Sequence, residues 1–522
     1  MEQYCIRHTE LPGASRLFGD LLYQFDRVER FYPHAPYDPD SLARAAKQIV
    51  YPAERRAALV DALRQSNPNN PSVEKLALPD TVAVVTGQQV GLFGGPLYTV
   101  FKALAAIKLA RTLSDRGICA VPVFWFATED HDLLEINQAW AYDAAHHPVQ
   151  FTTASVNPPN GPVGTIPLRG IPLDQLRQTL AAMPFAAETL ALVESAYKDG
   201  ETFGSAFRQL VEQLLQPYGM IYLDPLDPAI RAIAAPFLSR ALSMSKDLVP
   251  AVQDRTRELE AAGYHGQVHL ESNASLFFTL EGGKRTVLKR NGDKFKDYSL
   301  EALQAKPELL SPNAILRPVM QDFLLPTVAY LGGPAELAYF AQSEPLYAAL
   351  LGRMPVVAHR ASFTLFDRRA GKLTKRYELG LKDIAVPDVE LREKMARHLV
   401  PEGVTSQFGT SLAAVNAELD KLAASIHGFD PGLEKAFEKS RSKVNYQIGK
   451  MERKTAREAL RRDTRAGADA QYLHDLVYPH RHLQERMYSI LPFLATHGMD
   501  LISRIYECVE PACPDHQILT VD

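Results

Sequence analysis

The 522-residue sequence predicts an α/β protein that is built on a parallel β-sheet and carries an α-helical coiled-coil appendage. A buried β-branched run at 81–86 leads through a glycine-rich loop into an amphipathic helix, and a second buried run follows at 121–127. Apolar residues recur at heptad spacing between 412 and 451. Hydrophobic residues make up 46% and charged residues 23% of the chain, which is typical of a globular protein.

The first of these patterns predicts one β-loop-α-β unit. Thr81–Thr86 is short and apolar enough for a strand that is buried on both faces. Pro96 suits the first position of a helix, and apolar residues then recur at i, i+3, i+4 and i+7 along Leu97–Ile107. Because Val121–Ala127 would form the next strand, we expect two parallel strands joined by a right-handed crossover.

Further elements extend this pattern along the chain. Helices are predicted up to about Asp80 and over Phe203–Leu215 and Pro228–Ala262. An insertion is predicted at about 140–200, with small hairpins up to about Pro184 and a Pro-Asn-Gly turn at 159–161. More strands are predicted at Met220–Leu223, Leu276–Leu280, Thr286–Lys289, Val328–Leu331 and Val356–His359.

The later part of the chain changes its periodicity. Apolar residues step by three and four from Leu412 to Ile426, a Gly-Pro turn follows, and a second seam runs from Phe437 to Met451. These features predict an antiparallel helical hairpin, which we expect to form a homodimer interface. The expected domains are a core over 1–385, a coiled-coil domain over 386–475 and a segment over 476–522 that packs back on the core.

Composition and charge exclude several classes of function. A net charge of −4 gives no global attraction for nucleic acid or for an anionic membrane surface. No apolar run approaches the roughly 20 residues of a membrane span. Four cysteines are too few for a secreted disulfide scaffold, and Cys508, Cys513 and His516 lack a fourth ligand for zinc. We therefore expect a cytoplasmic protein without zinc, nucleic acid or membrane partners.

The glycine-rich loop after the first strand is the strongest candidate for a ligand site. Glycines let backbone N–H groups approach an anion, and the following helix start adds partial positive charge. The loop matches neither GxxxxGK[ST] nor GxGxxG, so a structural tight turn is the alternative. The candidate binding residues are Gly87, Gln88, Gln89, Gly94, Gly95, Tyr98 and Lys102. A surface position is the alternative for Lys102.

Four ionisable residues, 129–132, directly follow the second strand. Ligands of open parallel sheets bind outside the carboxyl ends of the strands, so this cluster and the glycine loop would share one edge. The carboxylates could hold an ammonium group, a ribose or Mg²⁺, and an imidazole could act as a general base. We predict catalytic roles for Asp130, His131 and Asp132 and a binding role for Glu129. Helix capping is the alternative.

A further segment, at 328–339, again places glycines between a predicted strand and a predicted helix, as in the first loop. Its candidate binding residues are Gly332, Gly333, Glu336 and Tyr339. We expect them to line the same cleft.

Several long stretches of the chain resemble a known family. VVTGQQVGLFGGPLYTVFKALAAIKLA and VPVFWFATEDHDLLEIN resemble the signature region of the bacillithiol biosynthesis cysteine-adding enzymes, the BshC family of cysteine ligases. LRPVMQDFLLPTVAYLGGPAELAYFAQ and PHRHLQERMYSILPF extend the resemblance over nearly the whole chain. The resemblance implies a Rossmann-like core with inserted connecting segments, and a coiled coil used for dimerisation.

The resemblance also implies a reaction, in which the carboxyl group of cysteine forms an amide with the sugar amine of glucosaminyl-malate. Amide formation needs an activated carboxyl group, so we expect ATP or ADP as the nucleotide, with Mg²⁺ as a possible companion. On the residues alone, a nucleotidyltransferase-like or other nucleotide-dependent enzyme acting on another small metabolite would share these features. A nucleotide-sensing coiled-coil scaffold is the third, less favoured reading.

Overall fold

The computed structural model describes residues 2–156, 160–271, 273–291, 294–296 and 298–521. The chain divides into two compact units. The first unit comprises 1–144, 148–365 and 485–522, and the second comprises 145–147 and 366–484. The turn predicted at 159–161 begins outside the described residues.

The strands are β1 Glu2–Ile6, β2 Val82–Gln88, β3 Ala120–Phe126, β4 Gln138–Tyr142, β5 Pro148–Thr152, β6 Ile221–Leu223, β7 Ala274–Glu281, β8 Lys284–Asn291, β9 Lys294–Phe295, β10 Tyr298–Ser299, β11 Leu310–Pro312, β12 Thr327–Gly332, β13 Val356–His359, β14 Phe363–Phe366 and β15 His516–Thr520. The α-helices are α1 Arg16–Tyr23, α2 Pro39–Lys47, α3 Ala53–Ser66, α4 Pro71–Leu76, α5 Tyr98–Asp115, α6 Leu133–Ile136, α7 Leu173–Leu180, α8 Ala186–Ala196, α9 Phe203–Leu215, α10 Pro228–Ser243, α11 Ser245–Ala261, α12 Leu300–Gln304, α13 Arg317–Leu324, α14 Pro334–Leu350, α15 Arg368–Arg376, α16 Leu381–Ile384, α17 Asp388–His398, α18 Glu402–Phe429, α19 Glu434–Arg462, α20 Thr464–Val477, α21 Gln484–Met487, α22 Leu491–His497 and α23 Leu501–Cys508.

A parallel sheet in the order β13-β12-β2-β3-β6 forms the centre of the first unit. The predicted β-loop-α-β unit is confirmed, since α5 connects β2 to its parallel neighbour β3. All residues of β3 are buried, as its continuous apolar sequence requires. The chain leaves β2 towards β3 but leaves β12 in the opposite direction, towards β13. This reversal between β2 and β12 creates a topological switch point.

Two segments differ from their sequence-based predictions. The helix predicted over Pro228–Ala262 is two helices that meet at Met244, and the apolar periodicity continues across the break. Hairpins are predicted up to about Pro184, but among the described residues of this segment only β4 and β5 pair in this way. The segment Leu173–Leu180 is the helix α7 instead, because a spacing of four lets Leu176 and Leu180 bury the same face.

Two further sheets complete the first unit. Strands β10, β9, β8, β7 and β11 pair antiparallel in this order and lie within the chain between α11 and α13. Strand β1 pairs antiparallel with β15, so that Cys5 lies opposite Gln517. The two ends of the chain are therefore joined in one sheet with β14.

The second unit contains the helical hairpin that the heptad pattern predicts. Asn445 donates from its amide to Asn416 at 3.1 Å, and Arg441 pairs with Asp420 one turn further along α18. These contacts fix α18 and α19 as an antiparallel pair. Leu422 and Met451 on the predicted seams remain 49% and 54% exposed, so the hairpin does not bury its own apolar residues fully. In the part of the chain that is described, no helix is long and apolar enough to cross a membrane.

Candidate functional site

The candidate site is a cavity of about 930 Å³ at the carboxyl ends of β2, β3 and β12. The strand order reverses here, and open α/β sheets bind ligands in the crevice at such a point. The β7–β8 hairpin and the first turns of α13 and α14 complete its wall. The predicted site residues that line it are Gly87, Gln88, Gln89, Tyr98, Lys102, Glu129, Asp130, His131, Gly333, Glu336 and Tyr339.

Lys102 is a buried lysine at this cavity, not a surface lysine, with only 3% of its side chain exposed. Its Nζ donates to the Gly87 carbonyl oxygen at 2.9 Å and to Gln88 Oε1 at 3.0 Å, and it lies 2.5 Å from Glu336 Oε2. Burial lowers the pKa of Lys102, and the Glu336 carboxylate opposes that shift. The ammonium therefore holds the end of β2 against the start of α14.

Both carboxylate oxygens of Glu336 accept hydrogen bonds from the protein. The Gly333 N–H donates to Oε2 at 2.7 Å, which caps α14, and the Tyr330 hydroxyl donates to Oε1 at 2.6 Å. Burial alone would raise the pKa of Glu336, but Lys102 and these donors lower it. Its oxygens are engaged by protein donors, so the role of Glu336 at the cavity is to orient Lys102 and the helix start.

Gln89 bridges two carboxylates at the cavity. Its Nε2 donates to Asp130 Oδ2 at 2.8 Å and to Glu135 Oε2 at 2.6 Å. Burial would raise the pKa of Asp130, but hydrogen bonds from His131 and Gln89 and the charge of Arg285 outweigh it and hold the pKa well below its usual range. Asp130 is therefore a fixed negative charge beside the cavity.

His131 faces a cationic neighbour as well as an acidic one. Its Nδ1 lies 3.0 Å from Arg285 Nη1 and 3.5 Å from Asp130 Oδ1. Arg285 belongs to β8, and its guanidinium is buried against the Phe278 ring, 3.8 Å from the ring centroid. The antiparallel sheet that contains β8 thus places Arg285 beside His131, which follows the central strand β3.

Glu129 is engaged within the protein. Its Oε1 accepts a hydrogen bond from Arg231 Nη1 at 2.6 Å, and only 6% of its side chain is exposed. Burial raises the pKa of Glu129, and Arg231 counteracts this effect. Arg231 also donates to the Leu310 carbonyl oxygen, so this ion pair ties the end of β3 to α10 and β11.

A group of arginines lies on the other side of the cavity. Arg317 donates to the Tyr339 hydroxyl at 2.8 Å. Arg360 forms a bidentate pair with Glu485 at 2.8 and 2.7 Å, and its guanidinium lies 5.1 Å from the Tyr98 ring centroid. Within the described residues, neither Arg317 nor Arg486 has a carboxylate partner within 4.0 Å. These two side chains can therefore offer charge to an anionic ligand.

Four predicted site residues do not line the cavity. Gly94 and Gly95 have positive φ of 84° and 68° in a buried turn, where the Gly94 N–H donates to the Tyr197 hydroxyl at 3.1 Å. Asp132 caps α6 by accepting a hydrogen bond from the Leu134 N–H at 3.0 Å. Helix capping was the alternative to a catalytic role for this residue. Gly332 uses its carbonyl oxygen to accept a hydrogen bond from the Arg360 N–H at 3.1 Å.

The glycine-rich loop also differs from the predicted anion cradle. The N–H groups of Gly91 and Gly95 donate to carbonyl oxygens of their own loop, and that of Leu97 donates to the Tyr488 carbonyl oxygen. Because these donors are already used, the loop is a tight structural turn from Gly91 onwards. Only its first residues, at 87–89, reach the cavity.

Comparison with known proteins identifies the family. Residues 1–361 match the N-terminal Rossmann-like domain of the bacillithiol biosynthesis protein BshC, and residues 363–521 match its C-terminal coiled-coil domain. The chain belongs to the BshC family. Both matches confirm the predicted fold class, a Rossmann-like parallel-sheet core with a coiled-coil appendage.

Curated relatives of the BshC family carry the name "Putative cysteine ligase BshC". The one from Solibacter usitatus (strain Ellin6076) is 48% identical over 99% of each chain. The one from Koribacter versatilis (strain Ellin345) is 35% identical over 99% of each chain, and the one from Salinibacter ruber (strain DSM 13855 / M31) is 30% identical over 98% of each. These relatives align with this chain from end to end.

Sequence reasoning missed the basic side of the site. Arg317 and Arg486 lie in two of the stretches that resemble the BshC family, LRPVMQ and LQERM, so that resemblance could have pointed to them. Arg285 offered a weaker signal, a basic residue at a position that β8 buries. Its contact with His131 joins residues 154 positions apart, which no local pattern reveals.

Proposed function

We propose that this protein is a ligase that joins the carboxyl group of cysteine to the amine of glucosaminyl-malate in bacillithiol biosynthesis. The end-to-end similarity to relatives named as cysteine ligases carries this proposal. The charge distribution of the cavity supports it, because Asp130 offers a fixed negative charge and Arg317 and Arg486 offer positive charge. Glucosaminyl-malate carries an amine and carboxylates, so its binding site needs both a negative and a positive charge.

In the proposed reaction, the sugar ammonium first gives one proton to solvent, and the neutral nitrogen then attacks the carboxyl carbon of an activated cysteine to form the C–N bond. The bond from that carbon to its leaving oxygen breaks, the leaving group takes the electron pair, and the nitrogen gives its second proton to solvent. Asp130 would attract the sugar amine as an ammonium and position its nitrogen. The surrounding cavity wall would hold the two reactants together, which lowers the entropic cost of the bimolecular step.

A nucleotide, when bound, would supply the activation of the cysteine carboxyl group. The glycine loop does not fit a phosphate beyond Gly91, because its N–H groups are already engaged. Arg317 and Arg486 fit phosphate oxygens better, because both line the cavity and a guanidinium offers several N–H donors. The first residues of α14 also line the cavity, and the helix dipole favours an anion there. Arg317 and Arg486 would then hold either the phosphates or the malate carboxylates.

A divalent cation would meet carboxylates at the same cavity. Mg²⁺ keeps several waters and commonly takes one or two carboxylates together with phosphate oxygens. Asp130 and Glu135, which share the Gln89 amide, are carboxylates of this kind. Among the described residues, no group of three or more histidine, cysteine or acidic side chains is arranged to hold a metal ion.

The test is product formation by the full-length protein. Cysteine and glucosaminyl-malate are incubated with ATP, with ADP and without nucleotide, and the thiol product is identified by mass spectrometry. Asp130→Asn should raise the KM for glucosaminyl-malate, whereas Asp132→Asn is the matched control, because Asp132 does not line the cavity and asparagine caps a helix equally well. A folded protein that forms no amide under any of the three conditions would refute the proposal.

We also propose that the protein is a homodimer through the α18–α19 hairpin. Leu422, Val444 and Met451 on its two seams are 49%, 38% and 54% exposed. A second copy of the hairpin would cover these side chains, and isologous pairing of one surface with itself is the commonest way to form a dimer.

A further inference from the structure

Lys102 fixes the orientation of the Gln88 amide at the cavity. An ammonium has only donors, and Lys102 Nζ lies 3.0 Å from one end of that amide. The end that faces Lys102 must therefore be the oxygen Oε1, because a reversed amide would turn its own N–H donors towards the ammonium. The amide nitrogen Nε2 then lies at the other end, 3.4 Å from the Tyr98 hydroxyl oxygen.

This orientation determines how the Tyr98 hydroxyl can bond. An amide nitrogen donates and does not accept, so Tyr98 accepts from Gln88 and keeps its own proton for another partner. Within the described parts of the chain, Gln88 is the only hydrogen-bond partner of this hydroxyl. Tyr98 lines the cavity, so a ligand in the cavity can supply the missing acceptor.

Positive charge surrounds the Tyr98 ring. Arg360 Cζ lies 5.1 Å and Lys102 Nζ lies 5.6 Å from the ring centroid, and these contacts restrain the ring. Burial raises the pKa of Tyr98, although the nearby charge of Arg486 opposes this shift. The hydroxyl therefore keeps its proton near neutral pH and can act as a donor. Because Arg486 carries a positive charge close by, an acceptor with a negative charge fits best.

We infer that Tyr98 donates a hydrogen bond to an anionic oxygen of the substrate, and that Gln88 and Lys102 are positioning residues that reserve its proton for this oxygen. The inference rests on the proposed function, which supplies two sources of such an oxygen, the malate carboxylates of glucosaminyl-malate and the phosphates of a nucleotide. Arg317 and Arg486 attract either anion by charge. A hydrogen bond has a preferred geometry, so the Tyr98 hydroxyl favours one position of one oxygen.

The first test measures ligand binding to the full-length protein without turnover. Isothermal titration calorimetry gives the dissociation constants of glucosaminyl-malate alone and of ATP alone, which separates the two sources of the oxygen. Tyr98→Phe should weaken the binding of one ligand by about 10- to 100-fold, as expected for a hydrogen bond to a charged group, and leave the other nearly unchanged. Unchanged binding of both ligands, or equal losses for both, overturns the inference.

Tyr32→Phe is the matched control for this test. It also removes a buried tyrosine hydroxyl, one that donates to the Leu337 carbonyl oxygen at 2.7 Å, but Tyr32 does not line the cavity. Both dissociation constants should therefore stay the same in Tyr32→Phe. If Tyr32→Phe weakened binding as much as Tyr98→Phe, the loss of any buried hydroxyl would explain the effect and the inference would fall.

The second test diverts the proton of Tyr98. The carboxylate introduced by Gln88→Glu has only acceptors, so it can bind Lys102 and also take the Tyr98 proton. Gln88→Glu should therefore weaken the binding of the same ligand as Tyr98→Phe. The two losses should be less than additive in the double variant, because the same hydrogen bond can be lost only once. Additive losses would show that Gln88→Glu acts through its charge alone and would refute the positioning role.

The outcomes separate this inference from the ligase proposal. If one ligand depends on Tyr98 as expected but no amide forms, the donor role stands and the ligase proposal is refuted. If the amide forms but Tyr98→Phe binds both ligands normally, the ligase proposal stands and the donor role is refuted. A folded protein that binds neither ligand also refutes the donor role. If Tyr98→Phe does not fold, Gln88→Glu decides: equal losses for both anionic ligands refute the inference, and a larger loss for one supports it.

Discussion

Lys102 Nζ lies 2.5 Å from Glu336 Oε2, and this ion pair joins α5 to α14 across the switch point of the parallel sheet. Lys102 also holds the Gly87 carbonyl oxygen, and Glu336 caps its own helix. The ends of β2 and β12 are thus held in register from behind the cavity. Protein groups surround both partners, so neither Lys102 nor Glu336 can change its charge without affecting the other.

Removal of Lys102 should therefore destabilise the protein. Lys102→Met leaves the Glu336 carboxylate without its cation, and breaking a buried pair in this way costs about 3–5 kcal/mol. Lys102→Met combined with Glu336→Gln should cost less than Lys102→Met alone, because no charge is left unpaired. The free energy of unfolding is measured with urea, and Lys108→Met on the same helix is the control, because its partner Glu507 is exposed and 3.8 Å away. Equal losses for Lys102→Met and Lys108→Met would contradict the expectation.

A second buried pair should make stability depend on pH. Burial alone would raise the pKa of Glu485, but Arg360 lowers it to about 2. A carboxylate with a lowered pKa stabilises the fold above its unfolded pKa of about 4.3, and this stabilisation is lost as the pH falls towards the folded pKa. The contribution is ~3 kcal/mol near neutral pH.

Glu485→Gln is the variant that isolates this effect. It should be less stable than the unsubstituted protein near neutral pH, and the difference should shrink between about pH 5 and pH 3. Urea unfolding at several pH values measures both free energies. A difference that stays constant over this range would show that ionisation of Glu485 contributes nothing.

The sequence predicted the local parts of this architecture and missed the distant ones. Phe203–Leu215 has the predicted bounds, because its apolar spacing and the Thr202 cap are both local. The pairing of β1 with β15 joins the two ends of the chain, and neither strand has a pattern that identifies its partner. The same holds for the site, where residues 87–89 and 129–131 lie at or just after the carboxyl ends of β2 and β3 and were found, whereas Arg285 and Arg360 come from other parts of the chain.

The glycine-rich loop shows why a motif alone is ambiguous. Glycines permit both close approach of a ligand and a positive φ, and a sequence does not say which is used. At Gly94 the structure shows a φ of +84°, a hydrogen bond to Tyr197, and Leu210 Cδ2 only 3.2 Å from the place of a β-carbon. Glycine is therefore required at position 94 for its backbone conformation and for lack of space, not for the approach of a ligand.

Gly94→Ala should therefore reduce stability. A non-glycine residue at positive φ costs about 1–2 kcal/mol, and the contact with Leu210 adds to it. Gly352→Ala is the matched control, because Gly352 has a φ of +67° but no atom within 4 Å of the added carbon. Urea unfolding should show a larger loss for Gly94→Ala. Equal losses would mean that packing against Leu210 contributes nothing.

The proposed dimer predicts a change in mass for hairpin variants. Val444→Glu together with Met451→Glu places charge on the exposed seam of α19 and should convert a dimer to a monomer. Lys435→Glu is the control, because Lys435 lies on the same helix outside the seam and is exposed. Light scattering during size-exclusion chromatography gives the mass of each. An unsubstituted protein that is monomeric at all concentrations would end the proposal.

Arg317 and Arg486, which have no carboxylate partner among the residues that the structure describes, should govern affinity for anionic substrate groups. A hydrogen bond to a charged group contributes about 1.5–3 kcal/mol, so Arg317→Gln should raise the KM of the anionic substrate it binds by roughly 10- to 100-fold. Arg486 is exposed, and its contribution should be smaller and should weaken further as salt is added. Steady-state kinetics with each substrate varied in turn will show which of them depends on these residues.

The control for both arginines is Lys289→Gln. Lys289 also lines the cavity, but Glu271 already neutralises it at 2.6 Å, so its removal should leave KM nearly unchanged. Tyr339→Phe separates charge from orientation, because it removes the hydroxyl that Arg317 contacts and keeps the guanidinium. If Lys289→Gln raised KM as much as Arg317→Gln, the cavity would respond to its total charge and not to these two side chains. A fall in kcat at constant KM would instead place Arg317 at the reacting atoms.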